Sequence, residues 1–155
     1  MLIYGKVLSN EMNVMCNVML DEKETCSKVQ ELFKKYRIFK EKQKIIETRN
    51  KSPFSFDNMG IFGSRTSDPT GNKVEQIMKY KDFTDTIDNT YKLFSNKLEK
   101  DEKVIYEKTL KTKHTVEDVM AELSITNRKT FYNKKNRCYL KVAMWFDLEV
   151  YKQCY

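Results

Sequence analysis

The first half of the chain places apolar residues at helical spacing and fills most positions between them with lysine and arginine. Between Glu24 and Asn50 the apolar side chains mark one side of a helix. This pattern predicts one long amphipathic helix over Glu24–Asn50, and we interpret its basic side as a solvated face rather than a DNA contact. Its apolar positions are Val29, Leu32, Phe33, Tyr36, Phe39, Ile45 and Ile46.

Two segments around this helix have different patterns. From Val7 to Leu20, leucine and methionine recur at helical spacing, so we predict a helix there, with a short pair of strands as the alternative. Lys51–Thr66 contains Pro53, Gly60 and Gly63 among aromatic residues, which predicts a loop pinned to the core by those aromatic side chains.

The motif SDPTGNK begins the next predicted element. Asp68 can accept the unpaired amide hydrogens of a first turn as N-cap, and Pro69 fits the first helical position because it has no amide hydrogen to leave unpaired. The sequence therefore predicts a helix from Pro69 to about Leu98. Acidic and basic residues nearly balance along it, so we interpret it as scaffold.

Three further elements follow. Leu98–Lys113 is predicted helical, with Val104, Ile105 and Leu110 turned inward. Thr115–Leu123 is predicted to be a short helix with Thr115 as N-cap and acidic residues in its first turn, where the helix dipole favours anions. Its predicted inward residues are Val116, Val119, Met120 and Leu123. After the tight connection SITN, the last helix is predicted to begin at Thr126 or Asn127 and to continue to about Tyr151.

Charge is divided unequally between these last elements. From Glu99 to Glu122 seven acidic residues face five basic ones, whereas Thr126–Lys141 holds six basic residues and no acidic one. Two helices separated by a short turn, the second rich in Arg, Lys, Asn and aromatic residues, are typical of a helix-turn-helix whose second helix enters the major groove.

The helical period then divides the last helix into two faces. We expect Phe131, Cys138, Val142 and Phe146 to lie inward, and Arg128, Lys129, Tyr132, Asn133 and Asn136 to lie outward. Arg and Lys can neutralise phosphates or donate to guanine, and Asn can pair with adenine. The candidate DNA-binding residues are Asn127, Arg128, Lys129, Tyr132, Asn133, Lys134, Lys135, Asn136 and Arg137.

Composition agrees with this picture. The chain has 155 residues, of which 4 are Gly and 2 are Pro, so long helices are favoured over a many-turned sandwich or barrel. We expect an all-α protein with an N-terminal helical region and loop (1–66), a scaffold helix (67–98) and a helix-turn-helix module (99–155). The net charge of +7 makes a polyanionic partner plausible.

Several function classes find no support in the sequence. There is no apolar run long enough to span a bilayer and no signal-peptide pattern, so we expect a cytoplasmic protein. The four cysteines form no CxxC pair and there is one histidine, so no metal site or other cofactor is expected. The chain also lacks a glycine-rich phosphate loop, an HExxH motif and a catalytic triad, and we expect no enzyme activity.

A family resemblance rests on the residues of the C-terminal third. Residues 98–142 resemble region four of the extracytoplasmic and phage-type sigma factors, and VMAELSIT is similar to the IAEELGIS pattern of that family. The chain departs from the pattern at Met120, where the family commonly has Ala, and at Ser124, where its turn usually has Gly. The other matched positions are Leu98, Glu102, Val104, Ile105, Thr130, Phe131, Arg137, Cys138 and Val142.

Over residues 50–150 the chain also resembles the small phage transcription regulators of the RinA, ArpU and LtrC type. The resemblance implies a sequence-specific activator of phage or phage-satellite late or packaging genes, with double-stranded DNA as partner and RNA polymerase or a second copy as further candidates. Two alternatives stay open. A small-terminase-like assembly protein also joins a helix-turn-helix to oligomerising helices, and a protein-interaction module could use the basic helix to bind an acidic partner.

Overall fold

The computed structural model describes residues 18–51 and 69–153, which are mostly helical. A short turn of 3₁₀ helix at Ser95–Lys97 follows the second long helix, and a π-helical segment, Tyr106–Lys111, extends the third. The expectation of an all-α protein is confirmed, with one short antiparallel strand pair in addition. The elements in chain order are β1 (Val18–Leu20), α1 (Glu22–Lys51), α2 (Pro69–Phe94), α3 (Lys100–Ile105), α4 (Val116–Glu122), α5 (Arg128–Trp145) and β2 (Tyr151–Gln153).

Helices α1 and α2 form an antiparallel pair, because the contacts between them run in opposite directions along the two helices. Tyr36 donates a hydrogen bond to Asp88 Oδ1 over 2.8 Å, and Gln43, later in α1, donates to Thr84, earlier in α2, over 2.9 Å. Both predicted long helices are present, but α2 ends at Phe94 instead of about Leu98, and a 3₁₀ turn follows it. Helix α1 begins slightly before its predicted start because Asp21 Oδ1 accepts the amide hydrogen of Glu24.

The hydrophobic core is centred on Tyr106, where α1, α2 and α5 meet the π-helical segment. The Tyr106 ring stacks on Tyr91 with 4.3 Å between centroids and meets Phe33 edge to face at 5.4 Å. Trp145 approaches the same ring at 6.3 Å. The buried hydrophobic residues are Val29, Phe33, Tyr36, Ile87, Leu98, Ile105, Tyr106, Leu110, Val119, Met120, Phe131, Cys138, Tyr139, Val142 and Ala143.

The far end of the α1 and α2 pair is less covered. Ile45, predicted as part of the apolar side of α1, is 45% exposed, and Val74 and Met78 of α2 are also exposed. Helical spacing identifies which side chains share a face, but it does not determine what packs against that face. The predicted loop over residues 52–66 and the predicted cap at Asp68 lie outside the described residues.

The predicted end of the last helix is wrong. Helix α5 ends at Trp145 instead of about Tyr151, because Asp147 takes a left-handed φ of 52° and the Leu148 amide bonds back to the Ala143 carbonyl over 3.0 Å. This is the closing hydrogen bond of a Schellman motif, which satisfies a terminal carbonyl and turns the chain away from the helix axis.

The predicted helix over residues 7–20 is also wrong where the structure describes it. Val18–Leu20 forms β1, which pairs with β2 in an antiparallel register of Met19 with Lys152. Two more bonds support the pairing: the Asp21 amide donates to the Val150 carbonyl over 2.7 Å, and the Val150 amide donates to Thr25 Oγ1 over 3.0 Å. Residues 7–17 lie outside the described part of the chain.

Candidate nucleic-acid interface

Helices α4 and α5 are joined by a five-residue connection, 123–127, with hydrogen-bonded caps at both ends. The Ser124 amide bonds to the Ala121 carbonyl over 3.2 Å, and the Ile125 amide to the Met120 carbonyl over 2.9 Å. Together these bonds make a complete Schellman motif, and Ser124 occupies its left-handed position with φ 56°. The connection is thereby fixed in a sharp turn.

The start of each helix follows from its cap residue. Thr115 Oγ1 accepts the Asp118 amide hydrogen over 3.2 Å, as predicted, and Asn127 Oδ1 accepts the Lys129 amide hydrogen over 2.9 Å. The last helix was predicted to begin at Thr126 or Asn127. Asn127 is its N-cap, and Arg128 is its first helical residue. Because its side-chain oxygen is engaged in capping, Asn127 contributes to the position of α5 as well as to its surface.

Helix α5 has one buried and one exposed face. Phe131, Cys138 and Val142 are fully buried and Phe146 is partly buried against the core, as the helical period predicted. The predicted outward residues are all exposed, and Arg137 lies exposed beside them. They are Arg128, Lys129, Tyr132, Asn133 and Asn136.

Four residues form the most open part of this surface. The side chains of Lys129, Asn133, Asn136 and Arg137 make no hydrogen bond or ion pair with any residue in the described ranges. Asn133 is four positions after Lys129, and Asn136 and Arg137 are three and four positions after Asn133, so the four residues lie along one side of the helix. We call Lys129, Tyr132, Asn133, Asn136 and Arg137 the polar face of α5.

Two basic candidates pair with acids on other helices. Arg128 Nη2 lies 2.6 Å from Glu117 Oε1 in α4, and both side chains are 65% exposed. Lys134 Nζ lies 2.5 Å from Asp101 Oδ2 in α3. These two side chains are 34% and 38% exposed, about half as much as Arg128 and Glu117. Sequence reasoning assigned Glu117 only to the helix dipole and missed both pairs. These contacts cross between elements, so helical spacing within one element carried no signal for them.

The Lys135 side chain lies along the surface of its own helix, α5, next to two tyrosine rings. Its ammonium lies 5.5 Å from the Tyr132 ring centroid and 5.3 Å from that of Tyr139. Burial lowers the pKa of Lys135 below its ordinary value. The spacing of 132, 135 and 139 along a helix was the signal in the sequence that could have predicted this packing. Lys135 is therefore less available to a ligand than its exposed neighbours.

Lys141, the last basic residue of the acid-free segment, attaches α5 to α3. Its ammonium lies 2.7 Å from Glu102 Oε1, and Glu102 is only 1% exposed. The same carboxylate accepts the Glu99 amide hydrogen over 3.3 Å, and the Cys138 thiol donates to the Glu102 carbonyl over 3.4 Å. A buried carboxylate needs such a partner, so Lys141 stabilises the position of α5.

Part of the positive charge of α1 is used in packing. Arg37 Nη1 donates to the Leu110 carbonyl over 2.5 Å. Leu110 lies near the end of the π-helical segment, where backbone carbonyl groups lack partners within the helix. Lys40 pairs with Asp88 over 3.0 Å, and the Lys35 ammonium lies 4.9 Å from the Phe83 ring centroid. The exposed side chains of Lys28, Lys34 and Lys44 in α1 make no such contact within the described residues. Helix α5 differs from α1 in that it contains no acidic residue.

We also searched the described residues for a metal site and for a membrane-spanning helix. Across residues 18–51 and 69–153, no three His, Cys, Asp or Glu side chains are grouped so that they could hold a metal ion. The same ranges contain no helix with the length and apolar character needed to cross a membrane. Comparison with known proteins finds no matching family, no similar curated protein and no similar solved structure.

Proposed function

We propose that α4 and α5 form a helix-turn-helix and that the chain is a sequence-specific regulator of transcription that binds double-stranded DNA. The observation that carries the proposal is the polar face of α5, which is exposed, basic and free of acidic residues, while the opposite face is buried. A helix of this kind fits the major groove, where base edges can be read.

The residue types of this face suit DNA recognition. Asn133 and Asn136 can each pair with the N6 and N7 atoms of adenine, and Lys129 and Arg137 can contact phosphates or the O6 and N7 atoms of guanine. Tyr132, 39% exposed, can reach a phosphate or a thymine methyl group. In this proposal the amides supply sequence reading and the cations supply most of the affinity.

The long helices α1 and α2 then hold the module in orientation and offer a surface for RNA polymerase or a second copy. Activation follows from recruitment, and the protein itself performs no chemistry. The resemblance to phage late-gene regulators supports late or packaging genes of a phage or phage satellite as targets.

A neutral double variant tests the base-reading role. Asn133→Ala with Asn136→Ala removes two candidate base contacts without changing charge, so affinity for random duplex should stay nearly constant. Each good base contact contributes about 1–3 kcal/mol, so losing two should lower affinity for a specific site by at least about 30-fold. The matched control is Asn89→Ala with Asn96→Ala, which removes two exposed amides from α2 and the turn after it.

The assay is a binding titration. Its DNA is a fragment that the wild-type protein captures from the genome of the phage or phage satellite that encodes it. Unchanged specific affinity in the α5 variant would remove these amides from the proposed mechanism. An equal loss of affinity in both double variants would show that the substitutions act by lowering the overall stability of the protein. A wild-type protein that binds no duplex at any salt concentration would favour the protein-interaction module, and ring-shaped oligomers would favour a small-terminase-like role.

A further inference from the structure

Two acidic residues lie at the border of the polar face of α5 and hold the basic residues next to it. Glu117, in the first turn of α4, pairs with Arg128 at the start of α5, and Asp101 of α3 pairs with Lys134 almost two turns later. Both acids come from elements other than α5, whose own residues include no acid. Arg128 and Lys134, two of the cations that flank the polar face, therefore already have anionic partners within the chain.

We infer that Glu117 restrains DNA binding: its carboxylate occupies Arg128 in the free protein, so this ion pair must open before Arg128 can contact DNA of any sequence. The inference rests on the proposed function and adds a residue of α4 that DNA binding by α5 alone does not require. Asp101 acts on Lys134 in the same way.

Arg128 exchanges its carboxylate partner for a different group on each kind of DNA. On non-specific DNA it leaves a carboxylate for a phosphate, one anion for another, and the Glu117 charge then remains close to the DNA backbone. On a guanine edge the guanidinium makes two hydrogen bonds in a fixed geometry, which discriminates strongly between bases. Opening the ion pair costs the same free energy in both cases, so Glu117 lowers the affinity for both kinds of DNA.

The geometry permits this exchange. The Arg128 to Glu117 contact joins Nη2 and Oε1, and both side chains are mostly exposed. Exposed ion pairs contribute little to stability, so the pair can open without disturbing the fold. Lys134 and Asp101 are less exposed, so the second pair is expected to open less readily.

The test uses full-length protein, a duplex of random sequence and a series of salt concentrations. Glu117→Gln should raise affinity for this duplex about two- to fivefold at low salt. It should also make the slope of log affinity against log salt steeper by about 0.9, as expected for one more phosphate contact. Affinity for an enriched genomic fragment should rise by a similar factor, so the ratio of the two affinities should change little.

Asp118→Asn is the matched control, because Asp118 is an exposed acid in the same helical turn and its side chain pairs with no residue of the described ranges. The substitution removes the same charge and the same favourable interaction with the α4 dipole. An increase in Asp118→Asn equal to that in Glu117→Gln would attribute the effect to general charge and overturn the inference.

The Arg128→Ala background provides a second control. If Glu117 acts through Arg128, adding Glu117→Gln to Arg128→Ala should leave affinity and salt slope unchanged. A persistent gain in that background would contradict the inference, and so would a loss of affinity in Glu117→Gln alone. Wild-type protein that fails to bind any duplex would overturn the proposed function and this inference with it, which distinguishes that result from failure of the inference alone.

Discussion

Asp88 is the polar residue whose removal should weaken the scaffold most directly, because it joins three parts of the chain. From α2 its carboxylate accepts the Tyr36 hydroxyl hydrogen over 2.8 Å and pairs with Lys40 of α1 over 3.0 Å. It also pairs with Lys111 of the π-helical segment over 3.3 Å. The Asp88 side chain is only 23% exposed, so solvent screens these contacts incompletely.

The expected magnitude follows from these three contacts. A hydrogen bond to a charged group contributes about 1.5–3 kcal/mol, and each partly exposed ion pair adds up to about 1 kcal/mol. Asp88→Ala should therefore lower the free energy of unfolding by about 2–4 kcal/mol. Asp88→Asn can still accept from Tyr36 and should cost less, about 1–2 kcal/mol.

The pH dependence gives an independent signature. Burial by itself raises the pKa of Asp88, but the hydrogen bonds from Lys40 and Tyr36 and the charge of Lys111 outweigh it, so the pKa lies below its ordinary value of 3.8. A group with a lower pKa in the folded state stabilises fully above its unfolded pKa, and this contribution is lost as pH falls through the folded pKa. Wild-type stability should therefore fall more steeply below about pH 4 than that of Asp88→Asn.

Urea unfolding followed by circular dichroism, at neutral and acidic pH, measures both effects. The control is Asp85→Ala, which removes an exposed acid from the preceding turn of α2. A loss of unfolding free energy in Asp88→Ala no larger than that in Asp85→Ala would refute the assigned role of Asp88, and so would a parallel loss of stability in wild type and Asp88→Asn on acidification.

Three further predictions concern the C-terminal region. Ser124→Gly should raise the free energy of unfolding by about 0.5–1 kcal/mol, because glycine adopts the left-handed φ of 56° without strain; a lower urea midpoint would contradict this. Lys141→Ala should cost about 3–5 kcal/mol, because Glu102 is left buried without its cation, and Lys141→Arg should restore part of that stability in the same unfolding assay. Burial raises the pKa of the Cys138 thiol well above its ordinary range, so peptide mapping after mild alkylation should show Cys138 protected and the less buried Cys26 modified; equal labelling of the two would contradict the burial.

The sequence carried enough information for the helices and for the two faces of α5. Cap residues such as Thr115 and Asn127 act on amides two or three positions away, so their effect can be predicted locally. The burial of Phe131, Cys138 and Val142 follows from the helical period in the same way. These predictions depend on interactions within one or two turns of helix.

The parts that sequence reasoning missed depend on distant residues. The strand pair joins Val18–Leu20 to Tyr151–Gln153, and no local pattern specified that pairing. The end of α5 required Asp147 in a left-handed conformation, where glycine is more usual. Likewise, the ion pairs of Glu117 and Asp101 exist only once α3, α4 and α5 have packed together.

The most direct test of the proposed function is capture of DNA by the purified wild-type protein from a pool of fragments of the element that encodes it, at low and physiological salt. The recovered fragments are sequenced, and the Asn133→Ala, Asn136→Ala double variant is run in parallel. We predict enrichment of a promoter region upstream of late or packaging genes that persists at the higher salt and is lost in the variant. Uniform recovery that disappears with salt, or identical enrichment by the variant, would contradict sequence reading by the polar face of α5.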